Sequence, residues 1–165
     1  MRNLLGLGFT FLLLSQPAWA QDSGAPPALY KSVAEVTAAL GNAGTASAAG
    51  SAVRISPGIS VRRRSSSVEN YAVVHPFSVE VYRILEGSGT LVTGGLLELP
   101  LAESTSPNII RTREGIKGGL ARRVSAGDIL VLQPGTPHWF SSIDGDSITY
   151  METRIQITTH PVQYQ

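Results

Sequence analysis

Gly127-Asp128-Ile129-Leu130-Val131-Leu132-Gln133-Pro134-Gly135-Thr136-Pro137-His138-Trp139-Phe140 reads as a strand that enters a core, turns on Pro134-Gly135 and presents a histidine just past the turn. The turn follows from covalent geometry, because proline pre-sets its own φ and glycine accepts conformations closed to other residues. His138 is one of only three histidines in the chain, and a second, His75, lies upstream beside Glu80. Two imidazoles and a carboxylate make a candidate metal-ligating set. The competing reading keeps His75 and His138 as hydrogen-bond partners that line a core.

Working outward, the same texture runs from Ala52 onward. Short stretches rich in Val, Ile, Leu, Thr and Tyr are separated by Pro57-Gly58, Gly87-Ser88-Gly89, Gly94-Gly95, Gly118-Gly119, Ala126-Gly127, Pro134-Gly135 and Asp144-Gly145. Strands at this spacing predict an all-β sandwich or barrel. The clearest are Tyr71 to His75, Glu80 to Glu86, Asp128 to Leu132 and Ser147 to Ile157. Helical periodicity is absent past Leu40, and no internal repeat is evident.

The N-terminal part has a different character. Arg2, the apolar run Leu4 to Leu14 and the small-x-small site Ala18-Trp19-Ala20 predict an export signal over residues 1–20, with Gln21 as the first mature residue. A membrane span needs about 20 apolar residues, and the run is shorter, so a periplasmic or secreted protein with no membrane attachment after cleavage is expected. Residues 21–51 read as an arm and connector. Within them Ser32, followed by Glu35, fits a capping box that opens a short helix ending at Gly41. Gly41 to Ser51 holds only small residues. The remaining 52–165 forms one β domain.

Charge excludes some partners. The formal net charge is +1, and loss of Arg2 brings it near zero, which argues against nucleic acid. Arg62-Arg63-Arg64 is expected to be a solvated face. With no cysteine, the chain forms no disulfide and offers no thiol.

His75 and Glu80 are an odd number of positions apart, so on one continuous strand they would face opposite ways. Pro76-Phe77-Ser78 interrupts the strand, and a hairpin turn there would bring Glu80 back beside the imidazole. Glu80, Tyr82 and Ile84 then share a face, and Gly87-Ser88-Gly89 closes the next hairpin.

These residues resemble the cupin superfamily. Its first motif, ending in a histidine, a glutamate and a glycine, is matched by His75, Glu80 and Gly87. The second, a glycine, a strand, a Pro/Gly turn and a histidine, is matched by Gly127, Gly135 and His138. The resemblance covers roughly Ile55 to Ile157. It implies a small secreted cupin with an RmlC-like, single antiparallel jelly-roll β-barrel preceded by a short helical arm. It also implies one divalent metal (Fe, Mn, Ni or Zn) held by His75, Glu80 and His138. One departure stands out, because the family's first histidine falls on Val73, which cannot ligate a metal. Gln133 replaces a frequent proline, and Ser142 an occasional asparagine.

Around the ligands, Tyr82 shares the face of Glu80 and is a candidate proton donor, or a wall aromatic with a satisfied hydroxyl. Glu80 is the candidate proton-transfer carboxylate. Tyr71 and Phe140 are candidate substrate-contacting walls, and Trp139 faces the other way. Arg111, with Arg113 on its face, could clamp a carboxylate or sit on a solvated edge. His160 reads as a surface residue. The resemblance implies a metal-dependent enzyme on a small oxygen-rich molecule, as an isomerase, lyase or dioxygenase. The alternative is a non-catalytic binder of a sugar acid or metabolite with a degenerate metal site. A homodimer formed through Ala52 to Val61 or the arm would cover exposed sheet edges.

Overall fold

The computed structural model describes residues 27–41, 47, 50–104 and 106–157. The expected export signal, most of the connector and His160 lie outside the described residues. Helix α1 spans Val33–Leu40. Both halves of the expected capping box are made: Glu35 N–H donates to Ser32 Oγ at 3.2 Å, and the Ser32 N–H donates to Glu35 Oε2 at 2.7 Å. The helix ends at Gly41 with φ 63°, a left-handed value that suits glycine. Its Leu40 is buried, and the Gly41 carbonyl accepts from Arg63 at 3.1 Å, which ties the arm to the β domain.

Among the described residues thirteen strands follow: β1 Ser51–Ser56, β2 Ile59–Ser65, β3 Ala72–Val74, β4 Ser78–Glu86, β5 Ser88–Thr93, β6 Leu96–Leu97 and β7 Leu101–Ala102. The remainder are β8 Ile110–Thr112, β9 Ile116–Lys117, β10 Leu120–Ser125, β11 Ile129–Leu132, β12 His138–Ile143 and β13 Ser147–Gln156. One sheet has the order β1-β2-β13-β4-β11, a second β10-β5-β12-β3-β8-β7, and β6 pairs with β9 alone. Every pairing is antiparallel.

The core lies between the two large sheets. Tyr82, Ile84, Leu132, Ile148 and Tyr150 come from the first, and Leu91, Val124 and Phe140 from the second. Tyr150 joins them, its ring centroid 4.7 Å from that of Tyr82 and 5.3 Å from that of Phe140. Along β4 the buried residues Ser78, Glu80, Tyr82 and Ile84 alternate with more accessible ones, as the strand period requires.

The expected closed barrel does not form. The first sheet ends in β1 and β11, the second in β10 and β7, and no ladder joins an edge of one to an edge of the other. The expected hairpins on either side of β4 are also absent, because β3 and β5 both lie in the opposite sheet. Pro76-Phe77 and Gly87, with φ 78°, therefore carry the chain across from one sheet to the other. The two-residue strands β6 and β9 pair only with each other and bridge no gap. What results is a pair of open sheets packed face to face.

Candidate metal centre

Three elements deliver the candidate ligands. His75 follows β3, His138 opens β12 in the same sheet, and Glu80 points across from β4 in the opposing sheet. In register, His138 faces Val73, so the two imidazole-bearing segments are neighbours. The turns are tied together, since Gly135 N–H donates to the His75 carbonyl at 3.1 Å. Exposures of 5% for His75, 1% for Glu80 and 6% for His138 put all three out of water.

The hydrogen bonds fix both imidazole tautomers. His75 Nδ1 lies 2.6 Å from the Asn108 carbonyl, and His138 Nδ1 lies 3.1 Å from the Thr136 carbonyl. A carbonyl can only accept, so each Nδ1 carries the proton and each Nε2 presents a lone pair. This outer partnership is the kind that orients metal-bound histidines. Both Nε2 atoms converge on Glu80, at 3.5 Å from Oε1 for His75 and 3.3 Å from Oε2 for His138. Oε2 is buried and accepts no hydrogen bond from the described residues. One donor atom from each residue falls within 4.8 Å of the others, a set that could hold a single metal ion.

Electrostatics keep the imidazoles in ligand form. Burial, helped by the nearby Arg154 guanidinium, lowers His75 to about 3. Burial likewise lowers His138 to about 4, so both rings are neutral at physiological pH and the short His–Glu distances are not ion pairs. Burial raises Glu80 to about 7, against the opposing pull of Arg154. A divalent cation would restore the charge that this buried carboxyl resists.

Tyr82 lies beside His138. Its hydroxyl lies 3.1 Å from His138 Nε2 and donates to it, and burial raises the phenol well above its ordinary range. Phe140 forms apolar wall on the face of His138. Tyr71 is at the cavity lining with Arg111, the guanidinium carbons of Arg111 and Arg113 each 4.6 Å from its ring centroid. Arg111 also donates to the Glu103 carbonyl from Nε and Nη2, at 3.0 and 2.7 Å. Trp139 rests on Gly115 and donates from Nε1 to the Asn70 carbonyl at 3.0 Å.

Several functional neighbours escape the sequence reading. Arg154 lies opposite Glu80 in the β13–β4 register and donates from Nε to Oε1 at 2.5 Å. Its Nη2 is 2.9 Å from His75 Nε2 and 3.1 Å from Glu152 Oε1. Asn108 clamps the Pro76 turn: its Oδ1 accepts from Phe77 N–H, and its Nδ2 donates to Ser78 Oγ, both at 2.8 Å. The arginine run is not a uniform solvated face. Arg62 and Arg64 line the cavity, Arg62 pairing with Glu152 at 2.6 Å, while Arg63 turns to Gly41, Thr149 and Glu86. Strand alternation carried this signal, because Tyr150, Glu152 and Arg154 share one face of β13.

No family model matches this chain, and no curated protein matches it in sequence. Solved structures do. An oxalate oxidase matches at 17% identity and TM-score 0.46, covering 82% of this chain and 63% of that one. A protein from Bacillus halodurans matches at 15% identity and TM-score 0.39, with 62% and 65% covered. Peruvianin-I, a cysteine peptidase from Thevetia peruviana latex, matches at 14% identity and TM-score 0.39, with 61% and 52% covered. The chain thus spans about half to two thirds of the length of these proteins. Likenesses this distant leave function to the geometry of the site. That geometry is a pair of facing antiparallel sheets carrying a buried His–His–Glu cluster.

Proposed function

We propose that this chain is a metal-dependent enzyme of the cupin superfamily, acting on a small, oxygen-rich and anionic molecule. The observation that carries the reading is the convergence of two Nδ1-protonated imidazoles on a buried carboxylate whose Oε2 accepts no hydrogen bond. Two imidazoles and one carboxylate suit Fe(II), Mn(II), Ni(II) or Zn(II) and leave coordination positions open. When bound, such an ion supplies Lewis acidity toward a substrate oxygen.

The surrounding residues supply the rest. Arg62, Arg64, Arg111 and Arg154 line the cavity with Glu152 as their lining carboxylate, an excess of positive charge that favours an anion. Tyr82, kept protonated, is the proton donor, and Glu80 both ligates and accepts protons. Tyr71, Phe140 and Arg111 form the substrate-facing wall. Isomerase, lyase and dioxygenase chemistry all fit this arrangement, and the identity of the metal separates them. A second reading, a non-catalytic binder of a sugar acid or similar metabolite, is favoured by Val73 at the position of the family's first histidine. Cysteine-peptidase chemistry has no nucleophile in a chain without cysteine.

The same proposal places the protein in the periplasm or outside the cell after cleavage behind Ala20, free of nucleic acid and membrane. Residues Ala52 to Val61 or the arm would form the surface for a homodimer, and β1 is a sheet edge.

The test is metal stoichiometry by elemental analysis of wild type, His75→Ala, His138→Ala and Val73→His. Wild type should bind one ion, and each alanine variant should lose most of it. Val73→His should hold the ion more tightly, because Val73 lines the cavity and faces His138. Equal low occupancy in all four would leave the binding-module reading.

A further inference from the structure

Arg154 does something unusual for a residue beside a metal site. Its guanidinium donates to His75 Nε2 at 2.9 Å, an atom a metal would take, and to Oε1 of Glu80 at 2.5 Å, the oxygen beside the unpartnered Oε2. The Nε2 of a neutral imidazole has one lone pair, since its Nδ1 proton is committed to the Asn108 carbonyl. That lone pair cannot hold Arg154 and a metal together. Arginine, moreover, cannot leave by losing its charge.

A destination for the displaced guanidinium is already in contact. Glu152 Oε1 stands 3.1 Å from Arg154 Nη2, on the same strand two residues away, and Glu152 is itself buried. Its other oxygen pairs with Arg62 at 2.6 Å. Arg154 therefore touches two carboxylates at once, one belonging to the ligand cluster and one outside it.

We infer that Arg154 is a resident cation that satisfies Glu80 and His75 in the metal-free protein, and that a divalent metal binds only by displacing it toward Glu152. The inference rests on the proposed His–His–Glu site. Metal affinity is then a competition inside the protein: the neutral Tyr82 hydroxyl leaves His138 Nε2 by turning its O–H, whereas the charged Arg154 must be moved off His75 and so raises the free metal the site requires. In the loaded protein the guanidinium stays on the cavity lining, where it faces the substrate.

Calorimetric titration with Mn(II) or Ni(II) alone tests this without any assay of activity. Arg154→Met removes the competing charge, and affinity should rise about tenfold to a hundredfold, the range in which residues around a metal site act. Arg154→Lys keeps the charge without the planar fork and should fall between wild type and Arg154→Met. It also serves as the variant of choice should Arg154→Met fail to fold. Glu152→Gln removes the receiving carboxylate and should weaken binding in wild type, with a much smaller effect in the Arg154→Met background. Unchanged or weaker binding in both Arg154 variants would overturn the competition while leaving the metal site standing. Absence of metal binding in wild type and variants alike would overturn the site itself, and the inference with it.

Discussion

Glu80 and the two histidines respond to burial in opposite senses, and this sets a pH dependence that can be worked out residue by residue. Glu80 rises from 4.5 to about 7, so folding favours its protonated form. Its contribution to metal-free stability is present below pH 4.5 and is lost as pH rises through about 7. His75 and His138 fall from 6.5 to about 3 and about 4, so their contribution is present above 6.5 and is lost as pH falls through those values. Between pH 4.5 and 6.5 the terms oppose each other. Glu80→Gln isolates one of them. In thermal melts of metal-free protein, wild type should lose stability relative to Glu80→Gln between pH 5 and 8, and a constant gap would refute the assignment. Metal requires the ionised carboxylate, so affinity should climb by about tenfold per pH unit up to about 7 and then level. At this scale His75, Glu80 and His138 were legible, because each stands beside its own turn residues, and the structure brings the three together. Arg154 and Asn108 were hidden. Asn108 sits in a loop far along the chain, and Arg154, although it alternates with Tyr150 and Glu152 on β13, reaches Glu80 only through a strand register that no local pattern gives.

Among the elements, the Pro76 turn between β3 and β4 governs the geometry of the centre. It must pass from one sheet to the other while holding the His75 ring against Glu80. Asn108 fastens it with two side-chain bonds, to Phe77 N–H and to the buried Ser78 Oγ. Asn108→Ala leaves its backbone carbonyl to accept from His75 but frees the turn. The expected cost is about 1–3 kcal/mol of stability, from the unpaired buried hydroxyl and the lost bonds. Metal affinity should fall severalfold as the His75 ring loses its fixed approach, while Asn108→Asp should recover part of both. A wild-type melting temperature and affinity in Asn108→Ala would show that the turn holds itself. The alternation of β4 was legible in the sequence, and so was the helix cap at Ser32. The way β4 connects was not. A proline turn that reverses a strand and one that hands it to a facing sheet carry the same local signature. Inward and outward positions also alternate identically in a closed barrel and in two open sheets, so closure depends on edge pairing that no single strand encodes.

For the whole molecule, the candidate centre lies where the two open sheets face each other. His75 and His138 belong to one sheet and Glu80 to the other. Apart from the His75–Glu80–His138 cluster, the sheets meet through the apolar cluster around Tyr150 and Phe140, with no ladder between their edges among the described residues. A metal bound by all three ligands would therefore act as a cross-link between sheets, a part that hydrogen bonds play in a closed barrel. Any ligand that binds only the folded state stabilises it by mass action, by about 2.7 kcal/mol at a hundredfold excess over Kd. For a domain of this size that corresponds to a rise in Tm of roughly 5–10 °C. The rise should appear with Mn(II) or Ni(II) in wild type and vanish in His75→Ala and Glu80→Gln, which each remove a ligand from a different sheet. Hydrogen exchange adds the spatial test. Metal should protect amides in β3 and β12 and in β4 together, because slowing the separation of the sheets protects both. Protection confined to β3 and β12 would mean that the two histidines hold the metal without Glu80, and that the sheets are held by the apolar core alone.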